Sequence, residues 1–410
     1  MMKRKHSMTA VLFLAGLLAG LLILASSFFG QEGKLETLLK NFVRSGDVTA
    51  LVTGAEGAAN QDLDRSHFFI QLFGGVQRLM GRRAIVDMAE ADYTVVKMDD
   101  GALTFENLSR EPVDVTPHGE ALVQLDRALR DQFDLPLLYI QAPQKASNDA
   151  LPTGVTDYGN GYADSLLSVL AENGVDYLDL RPGMEAAAAQ PDAPAFFFRT
   201  DHHWTPEGGF AGYQILSRCL DEHYGMEAPA LFTDPDSYEK MVYEDYFLGS
   251  QGKRVGTLYA GTDDITLWKP KFETSFTYSV PLNAIERTGP FEESLLFPER
   301  VAERDYFGGN PYTLYAGGDY NLARMTNHFN PDGPRILLIR DSYSCVLAPF
   351  LALNCSEVVT IDLRYFKENV LDYIEWLDPD LVCVMYTASS TRLPELFQFF
   401  GAEEKPGFRY

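Results

Sequence analysis

Between residues 119 and 385, segments with a helical spacing of apolar residues alternate with short, fully apolar runs. This alternation predicts an α/β fold in which a parallel sheet carries helices on its faces. The predicted helices span 119–133, 157–173, 210–223, 344–353 and 368–377. The predicted strands span 135–141, 175–180, 336–339, 358–363 and 381–385. In such a fold, functional groups collect at the carboxyl ends of the strands.

Two stretches outside this alternation predict different local structure. Residues 238–281 are rich in aromatic, glycine and turn residues, which predicts that 224–330 contains an insertion of short strands and loops that could cover a cleft. Upstream, the apolar period over 68–80 predicts a helix that ends at Gly81. Residues 93–105 predict a hairpin that turns at 99–101.

Residues 1–30 carry a membrane-targeting pattern. A Lys-Arg-Lys triplet precedes an uncharged apolar run over 11–29, about as long as a bilayer-spanning helix requires. The run is interpreted as an anchor, and a cleaved signal peptide is the alternative. Either way, the remainder is expected outside the cytoplasm, single-pass at the cell membrane or secreted. Residues 31–64 are expected to form a juxtamembrane helix and linker, and residues 65–400 the main domain.

Composition narrows the possible partners. Asp and Glu (58) outnumber Lys and Arg (34), which gives a formal net charge of -24 and argues against a nucleic-acid partner. The cysteines lie in apolar segments without C-x-x-C spacing, so we predict buried thiols in preference to a disulfide or a structural zinc site. These cysteines are Cys219, Cys345, Cys355 and Cys383.

The segment 200–207, Thr-Asp-His-His-Trp-Thr-Pro-Glu, concentrates chemistry-bearing side chains. They are Asp201, His202, His203 and Trp204. A helix is predicted to start directly after them, with Thr205 as N-cap and Pro206 at the first helical position. An imidazole near the positive end of a helix tends to stay neutral and can act as a base. The alternative interpretation is a polar loop in which two histidines happen to be neighbours.

Ser342 is predicted to lie on a strand-to-helix turn, between the apolar run 336–339 and the helical segment 344–353. There its hydroxyl can project from the edge of the sheet, while its own N–H and that of Tyr343 point at an oxyanion. A serine N-cap would look the same. The Asp-x-His upstream favours a nucleophile, since a serine hydroxyl needs a base, and that base needs an orienting carboxylate.

Other polar residues are weaker candidates. Lys145 and Arg364 each follow a predicted strand and could contact substrate or an oxyanion; a surface lysine, and an ion pair of Arg364 with Asp362 or Glu368, are the alternatives. The glycine turns of 306–327 could bring N–H groups near the site or be plain loops. Ser250 is not expected to be a nucleophile, because its G-S-x-G setting has no strand-to-helix switch after it.

The segments Asp201–Trp204 and Ile339–Tyr343 resemble the DHHW protein family, which is related to the AlgX and AlgJ proteins of alginate O-acetylation and more distantly to SGNH hydrolases. The resemblance covers roughly residues 65–400. It includes Gly81-Arg82-Arg83, Pro143-x-Lys145, the Gly-Ser-Gln-Gly-Lys-Arg loop at 249–254 and Asp362-Leu363-Arg364. It implies a flavodoxin-like SGNH core with circularly permuted blocks, in which the Asp-x-His precedes the serine.

By position, the resemblance implies Asp201 as the orienting carboxylate, His203 as the base and Ser342 as the nucleophile. An SGNH enzyme has Gly-Asp-Ser where this chain has Arg340-Asp341-Ser342, and an asparagine where it has Tyr386-Thr387. Arg364 and the Ser342 N–H are therefore the expected oxyanion donors. The residues expected to bind substrate or oxyanion are Lys145, His202, Trp204, Tyr343 and Arg364.

The resemblance implies an O-acetyltransferase that carries acetyl groups on serine to an exported polysaccharide or cell-wall glycan. A membrane-bound O-acyltransferase is the expected acetyl supplier, and no cofactor or metal is expected. A carbohydrate acetylesterase with the same triad and a non-catalytic polysaccharide-binding envelope component are the alternatives. Metal-dependent hydrolysis through residues 201–203 is disfavoured, since adjacent histidines rarely both face one ion.

Overall fold

This computed structural model describes residues 67–87, 93–106 and 111–401. The helices are α1 Phe68–Leu79, α2 Thr116–Phe133, α3 Gly159–Asn173, α4 Leu180–Ala188, α5 Pro206–Tyr224, α6 Ala230–Thr233, α7 Ser250–Val255, α8 Thr257–Ala260, α9 Phe291–Ser294, α10 Ser344–Ala352 and α11 Leu371–Leu377. The strands are β1 Ala84–Val86, β2 Thr94–Lys97, β3 Leu103–Phe105, β4 Leu137–Ala142, β5 Tyr177–Asp179, β6 Tyr238–Phe247, β7 Asp263–Pro270, β8 Phe276–Val280, β9 Ile285–Gly289, β10 Leu322–Asn327, β11 Arg335–Arg340, β12 Glu357–Ile361 and β13 Leu381–Thr387.

The N-terminal predictions fall outside these residues. Both the expected anchor over 11–29 and the expected juxtamembrane helix and linker over 31–64 lie in the part of the chain that the structure does not describe. Among the residues that it does describe, every helix is too short or too polar to cross a bilayer.

One large sheet organises the fold, in the strand order β5-β4-β13-β11-β12-β10-β8-β9. The five strands from β5 to β12 run parallel, and β10, β8 and β9 extend the sheet antiparallel to their neighbours. The α/β prediction is confirmed. The segment 224–330 contains short strands, as predicted: β8, β9 and β10 join this sheet, and β6 and β7 form a separate two-stranded pair.

Helices cover both faces of the sheet, which explains why its central strands are buried along almost their whole length and are mostly apolar. Alternate residues of β11 point to opposite sides: Ile336 and Leu338 belong to the core formed with α4, α5 and α10, and Leu337 and Ile339 to the core formed with α2, α3 and α11. Because side chains alternate along a strand, this single apolar run contributes to the cores on both faces of the sheet.

The shorter predicted elements also form. The hairpin is the pair β2–β3, and β1 adds to it as a third strand. The helix predicted over 68–80 is α1, and residues 67–82 form a compact unit with 254–261. Three of the four cysteines are buried free thiols, as predicted, whereas Cys219 is half-buried.

The start of α5 agrees with its sequence signature. Thr205 accepts a hydrogen bond on Oγ1 from the N–H of Gly208 at 3.1 Å, and Pro206 occupies the first helical position. The Thr205 hydroxyl also donates to the carbonyl of Ala195 at 2.7 Å. The cap thus fixes both the helix and the chain that leads into the 200–207 segment.

Replacing Thr205 with alanine should lower the free energy of unfolding by about 1–2 kcal/mol, because the helix loses its cap. Ser168→Ala is the matched control, since within the described residues that exposed helical hydroxyl bonds only the carbonyl of Asp164. Its change should stay within about 0.5 kcal/mol. Urea unfolding followed by circular dichroism measures both. Equal effects would contradict the capping role.

Candidate active site

The Asp-His-His-Trp segment forms the tip of a narrow loop that docks on the serine turn. Phe197 and Trp204 pair as an isolated antiparallel bridge and close the loop. The indole of Trp204 is completely buried, and its Nε1 donates to the carbonyl of Tyr343 at 3.0 Å. Trp204 therefore fastens the loop to the serine turn, and its buried ring does not present the surface expected of a substrate contact.

Asp201 and His203 form an oriented carboxylate–imidazole pair. His203 Nδ1 lies 2.5 Å from Oδ1 of Asp201, and the same oxygen accepts the His203 backbone N–H at 3.0 Å. The second oxygen accepts the N–H of Ser250 at 2.6 Å. Burial alone would raise the pKa of Asp201, but the two neighbouring imidazoles and the Ser250 N–H outweigh it and hold that pKa well below its usual value. Asp201 is therefore ionised at neutral pH.

The other nitrogen of His203 reaches the predicted nucleophile. His203 Nε2 lies 2.7 Å from Oγ of Ser342, although the two residues are 139 positions apart in the chain. Ser342 is half-buried between β11 and α10, on the strand-to-helix turn that the sequence predicted. The arrangement Asp201–His203–Ser342 has the hydrogen-bond geometry of a nucleophile, a base and its orienting group.

Two rings hold the imidazole of His203 between them. Tyr312 stacks on one side, with centroids 3.8 Å apart and planes 15° apart, and His202 lies 3.9 Å away at 36°. The hydroxyl of Tyr312 donates to the carbonyls of Ser342 at 3.0 Å and Tyr343 at 3.2 Å. Tyr312 thus touches both halves of the site. Its role could not be predicted from the sequence, because a tyrosine in an aromatic-rich loop has no local signature.

His202 contacts Ser250, in the Gly-Ser-Gln-Gly-Lys-Arg loop at 249–254. Its Nδ1 lies 2.9 Å from Oγ of Ser250, and its carbonyl accepts the hydroxyl of Tyr343. The packed surroundings of the ring, together with His203 beside it, lower the pKa of His202. His202 is therefore neutral at pH 7, and it supports His203 as an uncharged neighbour.

The exclusion of Ser250 rested on a wrong expectation about its setting. Strand β6 ends at Phe247 and helix α7 begins at Ser250, so a strand-to-helix switch is present. There Ser250 donates its N–H to Asp201, and its Oγ forms a hydrogen bond with Nδ1 of His202. A helix of six residues is too short for a periodic signal in the sequence.

Lys145 lies in the site as a support for the loop. Its ammonium donates to the carbonyls of Phe198 at 2.9 Å and Asp201 at 2.5 Å. Burial lowers the pKa of Lys145 to about 8. The structure places this ammonium on backbone oxygens, which differs from the expected substrate contact.

Arg364 forms an ion pair with Asp362, which was the alternative to a contact with substrate or an oxyanion. Its guanidinium donates to Asp362 at 2.6 Å and to Asp319 at 2.9 Å. Asp319 also pairs with Arg340, which is 2% exposed. The expected role of Arg364 as an oxyanion donor does not match this geometry, because its charge is already shared between two carboxylates.

The N–H of Tyr343 is likewise committed. It donates to Oδ1 of Asp341 at 3.1 Å, and the other oxygen of Asp341 accepts the N–H of Thr387 at 2.8 Å. The expectation that Tyr343 points its N–H at an oxyanion is therefore wrong in this conformation. Within the described residues, the backbone N–H of Ser342 makes no hydrogen bond to protein.

The residues 201–203 also place their ligand atoms within 4.8 Å of one another, close enough to hold a metal ion. However, His203 Nδ1 and Nε2 are engaged by Asp201 and Ser342, and His202 Nδ1 by Ser250. A metal ion at this cluster would have to break these bonds. Asp201, His202 and His203 therefore fit a chain of hydrogen bonds better than the coordination shell of a metal ion.

Comparisons with known proteins agree with this architecture. Residues 115–235 match the family model for the SGNH hydrolase-like domain of the acetyltransferase AlgX. The family resemblance found in the sequence is confirmed. The chain is 17% identical to a DHHW family protein from Eubacterium siraeum, over 78% of this chain and 100% of that one, with a TM-score of 0.58. No curated protein matches it.

Bacillus cereus PatB1 has the same fold. Its structure is 20% identical to this chain, covers 75% of this chain and 99% of its own, and gives a TM-score of 0.61. A structure of PatB1 with a sulfonyl adduct gives 18% identity, the same two coverages and a TM-score of 0.59. The SGNH-like α/β fold is therefore shared with DHHW and PatB1 proteins.

The lowered pKa of Lys145 predicts a pH-dependent contribution to stability. The folded pKa lies below the unfolded value, so burial of the charge costs stability below about pH 8, and the cost fades as pH rises towards the unfolded pKa. Raising pH from about 7.5 to about 9.5 should therefore stabilise the natural protein relative to Lys145→Met by about 2 kcal/mol. Urea unfolding at the two pH values tests this. A difference that stays constant or shrinks would contradict it.

Proposed function

We propose that this protein is an extracytoplasmic O-acetyltransferase that moves acetyl groups to an exported polysaccharide or cell-wall glycan. The observation that carries the proposal is the relay in which His203 bridges Asp201 and Ser342 at 2.5 and 2.7 Å. The match of residues 115–235 to an acetyltransferase domain of SGNH-like fold supports acyl transfer as the reaction type.

In the first half-reaction, Oγ of Ser342 attacks the carbonyl carbon of an acetyl donor while His203 Nε2 takes the serine proton. The resulting imidazolium is stabilised by the ionised Asp201. When the carbon–oxygen bond to the leaving group breaks, His203 returns the proton to the leaving oxygen. Acetyl-Ser342 and a free alcohol result.

In the second half-reaction, a carbohydrate hydroxyl attacks the carbonyl of acetyl-Ser342 and gives its proton to His203. The tetrahedral intermediate collapses, the acetyl group leaves on the sugar oxygen, and His203 reprotonates Ser342. With Tyr343 committed to Asp341, we assign the Ser342 N–H as a donor to both oxyanions. Tyr312 and His202 keep the imidazole in one plane through both steps.

The N-terminal sequence supports the proposed location. The apolar run over 11–29, preceded by basic residues, would hold the catalytic domain at the outer face of the cell membrane, or direct it out of the cell if cleaved. A membrane-bound O-acyltransferase that exports acetyl groups is the proposed donor, because the outside of a cell offers little activated acetate. A carbohydrate polymer is the acceptor.

Covalent labelling tests the assigned nucleophile. A sulfonyl fluoride should label the natural protein on Ser342, in line with the sulfonyl adduct carried by PatB1. Ser342→Ala should abolish labelling and lower turnover of a chromogenic acetyl ester by at least about 10³-fold.

Ser250→Ala is the matched control, because it removes a neighbouring hydroxyl and keeps the N–H that Asp201 accepts. It should stay within about tenfold of the natural rate, since one hydrogen bond of about 1 kcal/mol is lost. Unlabelled Ser342 with intact turnover would remove this serine from the mechanism, and a folded protein with neither activity would favour a binding component.

The fate of the acetyl group separates transfer from hydrolysis. With a chromogenic acetyl ester as donor, an oligosaccharide acceptor should divert acetyl groups from water, so that acetate release falls below alcohol release and an acetylated sugar appears by mass spectrometry. Ser342→Ala should give neither product. Acetate that equals the released alcohol at every acceptor concentration would identify an acetylesterase.

A further inference from the structure

Helix α1 exposes an apolar stripe. Phe69 is 65% exposed, Leu72 37%, Leu79 81% and Met80, directly after the helix, 60%. Their spacing of three, seven and one residues places them on one side of the helix. Single exposed apolar side chains are common on protein surfaces, but several on one side of a helix indicate a surface that binds a membrane, a protein or an apolar ligand.

The opposite side of α1 is already packed. Gly74 is buried against the carbonyl of Val255, and Oε1 of Gln71 accepts hydrogen bonds from Thr257 Oγ1 at 3.0 Å and the N–H of Leu258 at 3.2 Å. These contacts fix the rotation of the helix, so the apolar stripe cannot turn inward. Leu258, which is 54% exposed, lies beside Gly75 and widens the patch.

The charge of this unit is opposite to that of the chain. Residues 67–82 and 254–261 contain Arg78, Arg82 and Arg254 and no Asp or Glu, although the whole chain has 58 acidic residues and a net charge of -24. Arginines beside an apolar stripe are the combination that binds an anionic lipid surface. The described residues of this unit, 67–82 and 254–261, therefore carry no carboxylate that would repel negative headgroups.

We infer that this patch, formed by Phe69, Leu72, Leu79, Met80 and Leu258, docks onto the surface of a bilayer that contains anionic phospholipids. The apolar side chains enter the boundary between headgroups and acyl chains, and the exposed Arg82, two residues after Met80, meets lipid phosphate. The apolar run over 11–29 ends 39 residues before Phe68. A chain segment of that length allows both to reach the same membrane, so the patch adds a second point of attachment.

Lipid-borne quenching tests this inference on the full chain. The protein is reconstituted in liposomes that contain phosphatidylglycerol and phosphatidylcholine, with or without brominated acyl chains. Leu79→Trp reports on the patch, and Leu282→Trp is the matched control, because both leucines are 81% exposed and Leu282 lies outside the patch. The three native tryptophans contribute the same background to both variants.

Brominated lipid should remove at least about half of the fluorescence added at position 79 and leave that added at position 282 unchanged. Adding Arg82→Glu to Leu79→Trp, or omitting phosphatidylglycerol, should reduce the quenching, whereas Arg218→Glu should not. Equal quenching at both positions, or none at position 79, would overturn the inference. Fluorescence at position 79 that responds to protein concentration and not to bromine would identify a second copy as the occupant, which also overturns it.

Discussion

A buried negative charge is the constraint on which the site depends. Asp201 is only 3% exposed, so its carboxylate needs donors on both oxygens, and it obtains them from His203 and from the N–H of Ser250. The two donors of His203 are local, and the N–H of Ser250 comes from 49 residues away. Satisfying this charge therefore brings the imidazole, the loop before α7 and the start of that helix together in one arrangement.

Two further buried aspartates also have their charge stabilised by backbone N–H groups of nearby loops. Asp263, at the start of β7, accepts the N–H groups of Arg199 and Thr200, and Asp341 accepts those of Tyr343 and Thr387. Each carboxylate closes a loop with fixed, short hydrogen bonds that side-chain packing alone would not provide. The loop that carries Asp201 and His203, and the turn that carries Ser342, are thus each held in place by a buried carboxylate.

The parts of this arrangement that depend on local sequence could be predicted. Apolar period and capping chemistry placed α5, the strand before Ser342 and the helix after it, since these signals act over a few residues. The Asp-x-His spacing and the serine turn indicated that residues 203 and 342 should meet. Predictions failed where two local rules compete: Asp341 captures the N–H of Tyr343, as aspartates in turns do, before an oxyanion can use it.

Contacts between distant segments leave no such signal, and Arg340 shows the consequence. A guanidinium at 2% exposure requires compensating charge, which Asp319 supplies from the 317–319 turn and the buried Asp362 from beyond β12. Arg364 then binds the same two carboxylates and balances the network at two positive and two negative charges. The guanidinium of Arg364 therefore stabilises this buried ion-pair network. The donor that we propose for the oxyanion is the backbone N–H of Ser342.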